Sequence, residues 1–273
     1  MSNRYPIIER CFVGTPRARI HIATAGTGRP ILLLHQTPRS WDEYRDVLPL
    51  IGRHYRAIAM DTVGFGDSGA LPFDENSIEA WSASAFDLLD SLELPQAAVV
   101  GHHTGAAIAI EMAAARPARI AAAALSAPPY VDVERRARSA GKPVIDEAPR
   151  CADGSHLLTL WQMRQPYYPA GDVDLLDRFI VDALKAGPLA AEGHRVVDRY
   201  AMDARLPLMR CPVRVMAPAA DPHAFSVAGK VAGAISGASM VEIADGMVPF
   251  PDQMPEVFAE TVLRFLEHEY PAR

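Results

Sequence analysis

The chain holds 273 residues, 49% hydrophobic and 22% charged, a balance that suits a soluble globular protein and excludes a disordered one. Lys and Arg number 27 against 33 Asp and Glu, and the net charge of −6 comes without any basic run, so no nucleic-acid surface is expected. Three scattered cysteines (Cys11, Cys151 and Cys211) form no C-x-x-C pair, which argues against a disulfide framework or structural zinc and fits a reducing, cytoplasmic setting.

The opening MSNRYPIIER carries no apolar run of the kind a signal peptide needs. Two strand-like runs follow, Ile7–Val13 and Arg17–Thr24, separated by Gly14-Thr15-Pro16 as in a hairpin. From Pro30 the pattern changes to apolar strands alternating with amphipathic helices. Ile31–His35 reads as a strand, Trp41–Ile51 as a helix, Tyr55–Asp61 as a strand, and Ser77–Leu92 as a helix with Ser77 as its N-cap. Ala97–Gly101, Thr104–Ala115 and Ile120–Ser126 add a strand, a helix and a strand. The stretch Ile120–Val131 is the most apolar in the chain, but Pro128 and Pro129 break it well short of a membrane span. Strands this apolar are buried on both faces, which implies a mainly parallel sheet covered by helices.

From about Val131 to Leu208 several helix-like pieces follow one another with no strand between them, punctuated by Pro143, Pro149, Pro166, Pro169, Gly171 and Pro188. The alternation then resumes with Val213–Ala217, Ser226–Ile235, Met240–Ala244 and Pro255–Glu269. This predicts an α/β core, residues 1–130 and 209–273, interrupted by a helical cap over residues 131–208. Sites in such folds lie on loops at the carboxyl ends of the strands.

Several motifs then fall in one order. Leu32-Leu33-Leu34-His35-Gln36-Thr37-Pro38 follows a strand, Asp61-Thr62-Val63-Gly64-Phe65-Gly66-Asp67-Ser68 forms a glycine-rich turn, and Gly101-His102-His103-Thr104-Gly105 joins a strand to a helix. A strand-loop ending in Asp221 and a helix opening with Met254-Pro255-Glu256 complete the set. In these features the chain resembles the α/β-hydrolase superfamily over nearly its whole length. The resemblance implies a mostly parallel eight-stranded sheet flanked by helices, with the third motif in the place of the G-x-S-x-G nucleophile elbow.

The chemistry does not follow the family pattern. His103 stands where hydrolases carry serine, and alignment on Pro255-Glu256 puts Val248 where the family's catalytic histidine belongs; only the acid, Asp221, matches. A Ser-His-Asp mechanism is therefore not expected. At the start of a helix the dipole disfavours an imidazolium, so His103 is expected to act neutral, as general base or nucleophile. The resemblance places an oxyanion hole at the main-chain N–H groups of Gln36 and Thr104. His223, two residues beyond Asp221, is the candidate substitute base. His35 and His102 occupy positions where the family uses histidine to buttress loops, and His35, Ser126 and Val248 are also candidate pocket residues. The cap offers Trp161, Tyr167 and Tyr168 for substrate, with His156 and His194 as isolated polar points.

These residues predict an enzyme for a small, partly hydrophobic carbonyl compound, an ester, lactone or activated C–C bond. Two alternatives remain: a lyase, decarboxylase, cyclase or cofactor-free oxygenase using His103 to abstract a proton, and a silent ligand-binding relative. No cofactor is indicated, since Gly101–Gly105 lacks G-x-G-x-x-G spacing and no Walker lysine follows it. No metal is expected, because adjacent histidines at a tight turn diverge. The expected partner is a small molecule, with a homodimer possible and no membrane contact.

Overall fold

The computed structural model describes residues 5–272. Eight strands, β1 (Glu9–Gly14), β2 (Arg19–Ala25), β3 (Pro30–Leu34), β4 (Arg56–Met60), β5 (Ala97–His102), β6 (Ile120–Ser126), β7 (Val213–Pro218) and β8 (Ser239–Ile243), make one sheet in the order β1-β2-β4-β3-β5-β6-β7-β8. β1 and β2 form the expected hairpin and β2 runs antiparallel to β4; every pair from β4 onward is parallel. β5 is buried along its whole length, as its all-apolar Ala97–Val100 run requires of a strand covered on both faces.

Trp41–Ile51 does not form the single helix expected of it. It divides into a 3-10 turn, Trp41–Tyr44, and one turn of helix, α1 (Leu48–Ile51). Pro49 explains the break: inside a continuous helix its ring would strike the carbonyl of Arg45, whereas in a first turn its missing N–H costs nothing. α2 (Ile78–Ser91) starts where expected, with the Ser77 hydroxyl accepting from the Ala80 N–H at 3.0 Å. α3 (Thr104–Ala115) is rich in alanine and buried on nearly every side, which lets it lie close against the sheet.

Between β6 and β7 the chain is helical throughout: α4 (Val133–Ser139), α5 (Ser155–Arg164), α6 (Val173–Ala186), α7 (Leu189–Arg199) and α8 (Met202–Arg205). This insertion has a small core of its own, in which Leu160, Tyr168, Leu175, Leu176 and Phe179 pack together with Trp161 and Tyr167 at its edge. α9 (Phe225–Gly233), α10 (Phe250–Gln253) and α11 (Pro255–Glu269) return to the sheet.

A buried charge cluster fastens α6 to the core. Arg39, fully buried, donates to Asp182 (2.9 Å) and to Asp252, while Arg178 pairs with Asp42 (2.7 Å) and Asp252 (2.8 Å). Three carboxylates surround two guanidiniums there. The neighbouring Glu43, buried and facing this excess of acid, is pushed up to about 8, first by burial and further by Asp252, with Arg39 opposing. Asp61 and Ser68 organise their turn as the sequence suggests: Asp61 accepts from the N–H groups of Trp41 and Asp67, and the Ser68 hydroxyl donates to the Asp61 carbonyl.

Candidate active site

The turn between β5 and α3 is built by its glycines. A Cβ on Gly105 would sit 1.8 Å from the Leu34 carbonyl oxygen, and one on Gly101 would sit 2.2 Å from that of Gly105. Only the bare backbone lets strand and helix approach so closely, and the residue between them takes the strain. His103 has φ 47 and ψ −110, a left-handed conformation uncommon outside glycine. Its side chain is thereby thrust out beyond the strand end into a cavity of about 310 Å³ lined by the loops after β3, β5, β7 and β8 and by the insertion. A larger groove of about 680 Å³ lies along α1 and α11 and contains none of these loops.

Asp221 joins His103 from the loop after β7. The His103 Nε2 lies 2.7 Å from Oδ2 of the fully buried Asp221, an ion-pair distance at an angle off the hydrogen-bond axis. The other carboxylate oxygen accepts from the main-chain N–H groups of His223 (2.8 Å) and Ala224 (3.2 Å). Burial alone would raise the Asp221 carboxyl; the His103 imidazole and the His223 N–H overcome it and hold the group well below the usual carboxylate range. The ring of His103 thus faces an ionised carboxylate as well as the helix end, a neighbour absent from the reading of the elbow alone.

His223 does not have the geometry of a substitute base. It serves Asp221 through its backbone, and its ring lies against Tyr167 with centroids 4.6 Å apart. Burial first, and then the nearby His103, Arg164 and His194, lower its basicity, although Asp221 pulls the other way. The ring does reach the cavity wall.

Two expected pocket residues, His35 and Ser126, are turned to support instead. His35 is buried, its Nδ1–H donating to the Gln36 carbonyl (2.8 Å) and its Nε2 accepting from the Thr62 N–H (2.9 Å). Ser126 is fully buried behind the elbow, where its hydroxyl donates to His102 Nδ1 (2.9 Å). The His102 Nε2–H donates to the Val248 carbonyl at 2.8 Å, so His102 is held neutral by burial, next by the adjacent His103. That bond pins the loop in which the resemblance expects a catalytic histidine. Val248 itself lines the cavity, as expected.

The Gln36 amide is also not the donor expected of it. Its main-chain N–H donates to Glu43 Oε2 (2.9 Å) and its side-chain Nε2 to Oε1 (2.7 Å), so the carboxyl behind the loop consumes both. The next residue, Thr37, lines the cavity, and its N–H, like that of Thr104 at the start of α3, donates to no protein acceptor among the described residues. The register of the loop, one residue further than expected, is set by Glu43, whose partner no local pattern announces.

The aromatic residues expected to hold substrate mostly pack elsewhere. Tyr168 lies in the insertion's own core, with Trp161 and Tyr167 against it, and none of the three lines the cavity. The wall facing His103 is instead more polar: Arg164, His194, Arg135 and Asp198 beside Ile145 and Val197. Asp146, nearly fully buried, receives Arg164 Nε (2.7 Å) and His194 Nε2 (2.8 Å). Burial works to raise its carboxyl, but Arg164 and then His194 prevail and bring it to about 2. Of this group the sequence offered only His194 as an isolated polar point; Asp146 and Arg164 lie in aperiodic or proline-flanked segments with no motif to join them. Away from the cavity, His21, Asp61 and Asp67 are the one trio of metal-ligand type close together among the described residues, but Arg10 and Lys185 already pair with Asp67. No helix among the described residues is long and apolar enough to cross a membrane.

Residues 29–156 match the family model described as the α/β hydrolase fold. The chain superposes on the enol-lactonase of Burkholderia xenovorans LB400 with a TM-score of 0.78 at 19% identity, over 94% of this chain and 100% of that one. Sheet order, elbow and insertion agree with that fold, so the chain has the α/β-hydrolase fold. Its curated relatives include the bifunctional epoxide hydrolase 2 of Sus scrofa, 32% identical over 48% of this chain and 23% of the relative. A soluble epoxide hydrolase of Corynebacterium sp. (strain C12) is 35% identical over 35% of this chain and 33% of the relative. The chain thus matches less than half the length of these relatives.

Proposed function

We propose that this chain hydrolyses a small carbonyl compound of the ester or lactone type, with His103 as general base. The observation that carries this reading is the pairing of His103 Nε2 with Asp221, which orients the ring and leaves Nδ1 without a protein partner in the cavity. In the proposed reaction Nδ1 takes a proton from water as the water oxygen attacks the carbonyl carbon, and Asp221 balances the imidazolium that forms. The N–H groups of Thr37 and Thr104 receive the developing oxyanion; a donor of this kind typically contributes roughly 3–4 kcal/mol to the barrier. The similarity to epoxide hydrolases and to an enol-lactonase supports a hydrolytic reaction on a small molecule. A cavity of about 310 Å³ is at the lower end of ligand-pocket sizes and favours a compact substrate.

The test is turnover of short-chain p-nitrophenyl esters by wild type and His103→Ala. A general base contributes on the order of 10²–10⁴-fold, and the variant should lose that much in kcat. Undiminished turnover in His103→Ala would remove His103 from the chemistry. Absence of turnover in the wild type, with proton exchange at the α-carbon of a bound ketone, would favour the proton-abstracting alternative.

A further inference from the structure

The mechanism above assigns no separate group to protonate the leaving oxygen, and Val248 stands where the resemblance expects a histidine. The cavity holds a second histidine–carboxylate pair that the hydrolytic reading does not use. His194 on α7 and Asp146 before α5 repeat the His103–Asp221 arrangement from the opposite, insertion side. In each pair Nε2 meets the carboxylate, at 2.8 Å and 2.7 Å, and in each the acid is buried while the imidazole keeps part of its surface open, 23% for His194 and 16% for His103. Nδ1 of His194, like that of His103, has no protein partner.

Charge neutralisation does not require His194. Arg164 already contacts both Asp146 oxygens, and a guanidinium so placed satisfies a buried carboxylate by itself. The ionised Asp146 carboxylate can only accept, so the His194 Nε2 carries its hydrogen toward it, and the ring is fixed with Nδ1 as the remaining nitrogen. Asp146 is held at φ 68 in the left-handed region, directly behind Ile145 of the cavity wall. His103, His194 and His223 all line this one cavity.

We infer that His194, oriented by Asp146, is the proton donor to the leaving group in the reaction that His103 begins. This rests on the hydrolytic reading above. The water oxygen bonds to the carbonyl carbon while its proton passes to His103 Nδ1. The bond from that carbon to the leaving oxygen then breaks, its electron pair stays on oxygen, and the oxygen takes the proton from His194 Nδ1. Acid and alcohol depart, and solvent returns the proton from His103 to His194, so one water is consumed and both histidines are restored. The groups facing His194 have mixed effects on its charge: Asp146 favours the imidazolium, whereas Arg164 (Nη2 at 3.4 Å) and His223 oppose it, and the Arg135–Asp198 pair on the same wall is neutral in sum.

The leaving group supplies the test. An alkoxide needs a proton to depart and p-nitrophenolate does not, so butyrate esters of ethanol and of p-nitrophenol are compared in wild type and His194→Gln. The expected result is a loss of about 100-fold in kcat on the ethyl ester with KM changed less than about threefold, and less than about threefold loss on the p-nitrophenyl ester. The alkaline limb of the ethyl-ester pH profile should vanish in the same variant. Equal losses on both esters, or none on either, would overturn this inference alone. No turnover of either ester by the wild type, or full activity in His103→Ala, would overturn the hydrolytic reading and this inference with it. His194→Asn carries the same comparison if the glutamine variant fails to fold.

Discussion

Two of the polar places where the helical insertion meets the core differ in kind. At one, Arg39 and Arg178 face Asp42, Asp182 and Asp252, all of them buried or nearly so, and almost every polar atom is spent on another side chain. At the other, His103 with Asp221 and His194 with Asp146 face a cavity, and each imidazole spends one nitrogen on its carboxylate and keeps the other. The side-chain types are similar, yet the first junction is fastened and the second is available. What separates them is stoichiometry: a guanidinium among carboxylates saturates, while an imidazole on one carboxylate always leaves a nitrogen free.

The difference predicts that the first junction answers to stability measurements and the second to kinetics. Arg39→Met leaves Asp182 with only the Ser40 hydroxyl and Asp252 with only Arg178, and unfolding in urea at pH 7 should lose about 3–5 kcal/mol. A loss below about 1 kcal/mol would mean that water reaches this cluster and that it fastens nothing.

Asp146 tests the boundary between the two kinds of site, since it holds Arg164 and His194 of the cavity wall but is itself buried and paired like a junction residue. Its folded value of about 2 lies below the ordinary 3.8, so the pairing stabilises the fold at every pH above 3.8 and that contribution drains away as pH falls toward 2. The linkage amounts to about 2 kcal/mol. Denaturation curves between pH 6 and 2 should therefore fall less steeply for Asp146→Asn than for wild type, from a starting point lower by about that amount. Parallel curves would show that Asp146 is equally at ease folded and unfolded.

The smallest effect is expected at His223. Its ring supports Tyr167 and its main chain supports Asp221, and only the first is lost in His223→Ala. Stability should drop by about 1 kcal/mol, and kcat should stay within about tenfold of wild type in the ester assay. A loss as large as that of His103→Ala would return His223 to the role of base.

The sheet and the elbow were legible because their signals are local. Period and apolarity mark β3, β5 and β6, the glycines at 101 and 105 mark the tight approach, and Asp221 follows a strand at its expected place. Trp41–Ile51 was misread as one helix because apolar spacing was given more weight than Pro49. The occupation of the Gln36 amide was not legible because its partner is Glu43, seven positions on, and hydrogen bonds between a main-chain amide and a distant side chain leave no periodic trace. The cavity wall from the insertion was illegible for a related reason. Asp146, Arg164 and His194 come from three separate segments, and only the packing of α5 and α7 brings them together. The aromatic residues, conspicuous in the sequence, were needed for the insertion's own core.

Asp221 has one oxygen occupied by two main-chain amides and one facing His103. A histidine introduced at position 248 would compete with His103 for that single remaining oxygen. Two imidazoles cannot both be oriented by it, so a chain carrying both would hold one of them idle. On the general-base reading, a serine-centred arrangement therefore calls for positions 103 and 248 to differ together from the residues present here.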